Sequence, residues 1–210
     1  MNLIKFLTAL SAVSQVYSWD LPDVHAANFT EHTFENLLDH FNFQDPKNYL
    51  QRYFECDDFF DNKTGPIFLY ICGESECSVK DSLMFPFMIG AKHNAKLVAL
   101  EHRFYGKSIP NLNLELSNLK YLTAEQALAD IAYFITKKLN ADKPDREVVV
   151  IGGSYPGALS AWFREKYPHL AVASWSSSGV VYPIEDFWQF DQQIYDSALR
   201  SGENCPQQVQ

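Results

Sequence analysis

Val148-Val149-Val150-Ile151-Gly152-Gly153-Ser154-Tyr155-Pro156-Gly157-Ala158 is the stretch on which the fold turns. Its first half is a run of β-branched residues, the mark of a strand buried on both faces. A helix is predicted from about Gly157 to Tyr167, with Pro156 tolerated in its first turn and Pro168 stopping it. A serine at such a sharp strand-to-helix turn is pointed outward as a nucleophile elbow. Side chains beside the turn would meet the adjacent strand or helix, which is the reason read here for Gly152, Gly153 and Gly157. The usual spacing is Gly-x-Ser-x-Gly, whereas here Pro156 takes the last position and Gly157 follows one residue late. The competing reading makes Ser154 an ordinary cap or turn serine. A phosphate or dinucleotide loop would need Gly-x-Gly-x-x-Gly or Gly-Lys-Ser/Thr, and this stretch has neither.

Working outward, the same strand type recurs. Ile67 to Ile71 and Lys96 to Leu100 are continuous apolar runs, and Leu170 to Trp175 follows the elbow helix. Between them lie a helix from Leu83 to Ala91 and a longer one opened by Thr123. There Gln126 completes a capping box, and Leu128, Ile131, Phe134, Ile135 and Leu139 form an apolar stripe. Upstream, alternating aromatic and polar residues from His40 to Phe60 predict antiparallel strands around the turn Gln44 to Asn48. Buried strands separated by helices predict an α/β fold, a mostly parallel sheet with helices on both faces. Ligands in such folds bind beyond the carboxyl ends of the strands. Three of those ends carry chemistry: Cys72-Gly73-Glu74, Glu101-His102-Arg103 and Gly152-Gly153-Ser154.

The elbow defines the first expected roles, those of an α/β-hydrolase. Ser154 is the candidate nucleophile, and the Tyr155 amide faces a developing oxyanion. The second donor is expected from the loop after the first core strand, where Gly73 allows close approach and the Glu74 amide donates. The Glu74 side chain either meets a substrate amine or belongs to a solvated acidic loop. Glu101, His102 and Arg103 read as support for the site, with Arg103 ion-paired to Glu101 or Asp130. Trp162, Phe163 and Trp175 read as core packing, although Trp175 also sits where it could line a proline pocket.

The proton-transfer side is not found. In α/β-hydrolases the acid and the histidine follow the serine in that order. Only His169 follows Ser154, about 15 Å along the helix from its start. Asp186, Asp191 and Asp196 fall in a helical pattern resembling the start of a cap. The 56 residues after Ser154 are too few for a cap and the closing strands, so the 210-residue chain is expected to be a fragment or truncated gene product lacking the triad Asp and His.

Met1 to Ser18 reads as a secretory signal peptide, with a lone Lys5, an apolar core and small residues before Trp19. Residues 19–180 are then the hydrolase part and 181–210 the start of a helical cap. Secretion makes Asn28 and Asn62 candidate glycosylation acceptors and the four cysteines candidates for oxidation. Three complete pairings exist; Cys72 and Cys77 share a loop, but the sequence does not choose. Neither metal-ligand spacing nor a cofactor motif is present. A net charge of -9 argues against nucleic-acid binding, and no run is long enough to span a membrane. Apolar residues at 47% with 15% aromatics exclude a disordered chain.

Several segments together resemble the peptidase family S28, which includes prolyl carboxypeptidase, dipeptidyl peptidase II and thymus-specific serine protease. They are Leu38-Asp39-His40-Phe41, Gln51-Arg52-Tyr53-Phe54 and Gly65-Pro66-Ile67-Phe68-Leu69-Tyr70, then Glu101 through Ser108. Tyr121-Leu122 with Gln126-Ala127-Leu128-Ala129-Asp130, then Gly152 through Gly157, Leu159-Ser160-Ala161-Trp162 and Lys166-Tyr167-Pro168-His169 complete the set. The resemblance implies a serine exopeptidase acting on peptides after proline near a terminus, in a secreted or lysosomal setting. Carboxypeptidase and dipeptidyl-peptidase polarity both stay open, as does a homodimer of the longer protein. A secreted inactive binding protein and another serine hydrolase, an esterase or lipase, are the alternatives.

Overall fold

Alternation along the central strands sorts their side chains between two cores. The computed structural model describes residues 21–44, 46–79, 84–110 and 114–209. In β3 (Ile67–Ile71), Ile67, Leu69 and Ile71 face one side and Phe68 the other. β4 (Lys96–Leu100) divides likewise, Val98 and Leu100 against Leu97 and Ala99. β5 (Val148–Gly153) lies on the other flank of β3. Side chains two apart on a strand share a face, so a continuous apolar run serves two cores at once.

The sheet has six strands in the order β1-β2-β4-β3-β5-β6. β3, β4, β5 and β6 (Ala173–Ser177) are parallel neighbours, while β1 (Thr30–Leu37) and β2 (Asn48–Cys56) form an antiparallel edge. α1 (Met84–Lys92) covers one face through Phe87 and Ala91. α2 (Leu116–Leu119) is a single turn. α3 (Ala124–Phe134), extended by a π-helical turn at Ile135–Leu139, covers the other face with α4 (Tyr155–Lys166). Helices on both faces of a mostly parallel sheet are therefore present as expected.

Three local expectations need correcting. The first edge strand is Thr30–Leu37; the segment from Phe41 to Gln44 is a loop, with Phe43 84% exposed. The strand is hidden in the sequence because an inward position holds Asn36, fully buried and donating to Gln51 Oε1 at 2.7 Å. The last strand starts at Ala173 instead of Leu170. Only half of the capping box forms: the Gln126 amide donates to Thr123 Oγ1. The Gln126 side chain instead accepts from the His40 amide and donates to Asp39, fastening the β1–β2 loop to α3.

The chain divides into two compact units, Met1–Gly179 and Val180–Gln210. The second contains α5 (Trp188–Leu199) and α6 (Cys205–Val209), and no residue of α5 is buried. The segment read as a signal peptide lies outside the described residues. Among them, no helix is long and apolar enough to cross a membrane.

Candidate active site

Strand β5 ends where the backbone does something unusual. Ser154 has φ 61° and ψ -127°, a region that a non-glycine residue occupies only when its surroundings force it. Two bonds do so: the Ser154 amide donates to Ser177 O at 3.0 Å, and Ser154 O accepts from the Ala158 amide at 3.1 Å. The side chain does not cap the helix and is exposed. An ordinary N-cap serine sits in the β region and bonds its own helix, so that reading fails on both geometry and bonding.

The glycines divide by role. A Cβ on Gly152 would stand 2.1 Å from Pro156 O, and one on Gly157 would stand 2.7 Å from Ser177 O. Both positions are closed by backbone. Gly153 has nothing nearer than 3.9 Å, so the steric reason read for it from sequence does not hold. Gly157 thus fills the role of the late glycine, letting α4 press against the end of β6. Gly179 was missed in the sequence; a Cβ there would stand 2.9 Å from Gly157 C.

Next to the elbow, β3 delivers Cys72 to Cys77, closed by a disulfide between those two residues. Gly73 is the near neighbour: its missing Cβ would lie 3.2 Å from Pro156 Cγ. Glu74 is exposed and the ends of the loop, Cys72 and Cys77, are buried. The remaining cysteines, Cys56 and Cys205, form no disulfide.

Glu101, His102 and Arg103 are all buried, and each looks a different way. Glu101 pairs with Arg52, a residue whose role the sequence reading missed. Arg103 pairs with Asp130, settling the choice left open above: Nε to Oδ2 is 2.6 Å and Nη2 to Oδ1 is 2.7 Å. Its other donors reach Leu37 O, Leu38 O and Tyr121 O. Asp130 also accepts from Tyr49 and His40, each at 2.8 Å. Burial alone would raise the Asp130 carboxyl, but Arg103 and the hydrogen bonds hold it below the usual carboxylate range.

His102 lies between this network and the elbow. Its Nδ1 is 2.7 Å from Arg103 O, which fixes the proton there and leaves Nε2 to accept from the Tyr155 hydroxyl at 3.1 Å. Burial pushes the ring below its ordinary value, so it stays neutral. The Tyr155 hydroxyl is pushed up to about 12 by burial, with the Glu74 charge adding, so it stays a donor. An unfolded histidine takes a proton below about pH 6.5 while the folded ring resists, so stability falls as pH drops through that value. Replacing His102 with glutamine is expected to remove up to about 1.4 kcal/mol per pH unit of that slope, read from urea midpoints across the acid range.

His169 is exposed beyond the end of α4. Trp162 and Phe163 pack on the core, whereas Trp175 is half-buried with Phe85 edge-on at 5.8 Å. The two line a cavity of about 280 Å³ with Tyr70, Pro86, Gly153 and Ser177, so core packing alone does not describe Trp175. Asn28 and Asn62 are both exposed. No group of three or more His, Cys, Asp or Glu side chains among the described residues is placed to hold a metal ion.

Sheet order and elbow together define an α/β-hydrolase. Among solved structures, an esterase of Pyrococcus furiosus aligns with TM-score 0.55 at 13% identity, over 81% of this chain and 56% of that one, which supports the fold alone. The serine carboxypeptidase S28 profile matches residues 36–210, and the chain belongs to that family. A probable serine protease of Arabidopsis thaliana is 44% identical over 82% of this chain and 36% of its own length. The human lysosomal Pro-X carboxypeptidase is 35% identical over 90% of this chain and 40% of its own. The human thymus-specific serine protease is 37% identical over 79% and 33%. The chain thus spans about 33% to 40% of the length of these relatives.

Proposed function

We propose that this chain carries the nucleophile and oxyanion side of a serine exopeptidase that cleaves after proline near a peptide terminus. The observation that carries this reading is Ser154: an exposed hydroxyl, free of capping, held at a strained φ of 61° between a parallel strand and a helix. In the reaction, Ser154 Oγ attacks the scissile carbonyl carbon and its proton passes to a base. The oxygen takes up negative charge beside the amides of Tyr155 and Glu74. Collapse then breaks the C–N bond, the amine leaves with the proton, and water releases the acyl group by the same route.

The base and its orienting acid are assigned to a segment outside this chain. His102 uses its two ring nitrogens on Arg103 O and Tyr155, and His40 directs Nε2 at Asp130, so these bonds turn both rings to partners other than Ser154. Residues 181–210 are read as the start of a helical cap. In support, Phe187, Trp188, Phe190, Ile194 and Tyr195 are each more than 45% exposed, an apolar surface that needs covering. The name of the human lysosomal relative supports a secretory or lysosomal location, and with it the glycosylation of Asn28 and Asn62. The proline preference rests on the names of the Pro-X carboxypeptidase relatives.

A fluorophosphonate probe tests the reading. Protein extended beyond Gln210 by its own transcript is expected to label at Ser154, with at least about a 10³-fold loss in Ser154→Ala. Peptides with an internal proline near one end are expected to be cut there, and comparing blocked amino and carboxyl termini reads the polarity. Absence of labelling in that longer protein would favour a secreted, inactive binding protein instead.

A further inference from the structure

The loop after β3 is held in a way that a solvated acidic loop does not need. Its near end is fixed to the sheet, because the Cys72 amide donates to Leu100 O at 3.0 Å. Its far end is fixed by a buried ion pair. The Cys77 amide donates to Glu101 Oε1 at 3.0 Å, and Cys77 O accepts from Arg52 Nη2 at 3.4 Å. Glu76, on the loop itself, also reaches Arg52 Nη2 at 3.1 Å. The disulfide joins the two ends.

Glu101 is fully buried and its carboxylate is saturated. Besides Cys77 and Arg52, it accepts from the Lys107 amide at 2.9 Å and from Ser108 Oγ at 2.8 Å. Gly106, at φ +53°, makes room for it; a Cβ there would stand 2.0 Å from Glu101 Oε1. A buried ion pair adds little net stability over apolar packing, but its charge-assisted bonds fix geometry. Here the geometry fixed is that of the mid-loop, with Gly73 half-buried against Pro156 of the elbow helix and Glu74 exposed beside it.

We propose that Arg52 and Glu101 are positioning residues for the oxyanion hole: by clamping Cys77 they hold the Glu74 amide opposite the Tyr155 amide. This rests on the reading of Ser154 as the acylated nucleophile. Neither residue touches substrate. Both act through the loop, so their removal weakens binding of the tetrahedral species more than that of the ground state.

The test uses the intact active protein and Glu101→Gln, with Arg52→Lys as the second variant if the first does not fold. The expected result is a fall in kcat of about 10²-fold with KM within about twofold, because a donor displaced by about 1 Å loses most of its effect. A peptide boronic acid, which forms a tetrahedral adduct on serine, is expected to bind more weakly by the same factor. A product peptide is expected to bind unchanged. Hydrogen exchange at residues 73–77 is expected to accelerate about tenfold or more. A folded variant with wild-type kcat, boronate affinity and loop protection overturns the clamp, as does a loss shared equally by boronate and product. Wild-type protein that never reacts at Ser154 overturns the underlying reading, whatever the loop does.

Discussion

Arg103→Met is expected to destabilise the fold by about 3–5 kcal/mol, a large part of the ~5–15 kcal/mol that holds a domain together. The side chain is fully buried and all five of its N–H donors are used: two on Asp130, and three on the carbonyls of Leu37, Leu38 and Tyr121. Methionine fills similar volume but leaves Asp130 as an unpaired buried charge and three carbonyls short of a donor. Three segments then lose their common anchor: the end of β1, the start of α3 and the strand end bearing His102. A second replacement separates charge from packing. Arg103→Met with Asp130→Leu is expected to recover part of the loss, since an apolar pair often matches a buried ion pair, but Tyr49 and His40 lose their acceptor. Urea unfolding midpoints of the two single variants and the double variant give the coupling directly. Equal midpoints for wild type and Arg103→Met would show that the network is not the anchor described.

The same pair sets an acid limit. Arg103 holds the Asp130 carboxyl below its ordinary value of 3.8 against the opposing effect of burial. A depressed carboxylate contributes stability that is fully present above the unfolded value and lost as pH falls through the folded one. The Arg103–Asp130 pair is therefore intact at pH 5. His102 works in the same direction but at higher pH, because keeping it neutral costs stability already below about pH 6.5. Acid thus weakens the contact beneath Tyr155 before it reaches the anchor beneath α3.

How much of this was legible depended on whether a residue's partner was near in sequence or in pattern. β3, β4 and β5 could be read from apolar runs because burial on two faces leaves no other composition for them. Ser154 could be read because strand, glycine, serine and helix are contiguous. β1 could not be read, since its inward positions include Asn36, whose partner Gln51 lies across the sheet on β2. Arg52 lies in Gln51-Arg52-Tyr53-Phe54, but its partner carboxylate is 49 residues away, so local sequence does not reveal its role. The half-formed box at Thr123 shows the same limit: Gln126 satisfies a local rule in sequence, but tertiary partners 86 and 87 residues away claim its side chain. Gly153 shows the converse. A motif position invited a steric explanation that the space around it does not support.

Gly152→Ala is expected to cost at least about 100-fold in reaction at Ser154, with about 1–3 kcal/mol of stability lost as well. The added methyl would lie 2.1 Å from Pro156 O, 2.3 Å from Pro156 C and 2.8 Å from Gly157 N. All three are backbone atoms of the first turn of α4, so no side-chain rotation relieves the overlap. The turn must move as a body, and it carries the Tyr155 amide and the start of the helix. Ser154, fixed on its other side to Ser177, must then shift its strained φ or lose that bond. Gly157→Ala meets Ser177 O at 2.7 Å and Gly179 Cα at 3.0 Å, so it displaces the same turn from the β6 side. Gly153→Ala is the control. It sits between Gly152 and Ser154 in sequence, yet its methyl would meet nothing within 3.9 Å. It is expected to stay within about 0.5 kcal/mol of wild type, the range of an unobstructed substitution. Fluorophosphonate labelling rates and urea midpoints of the three alanine variants order them. Equal damage at 152 and 153 would mean that backbone freedom, and not the closeness of the helix start, is what the paired glycines supply.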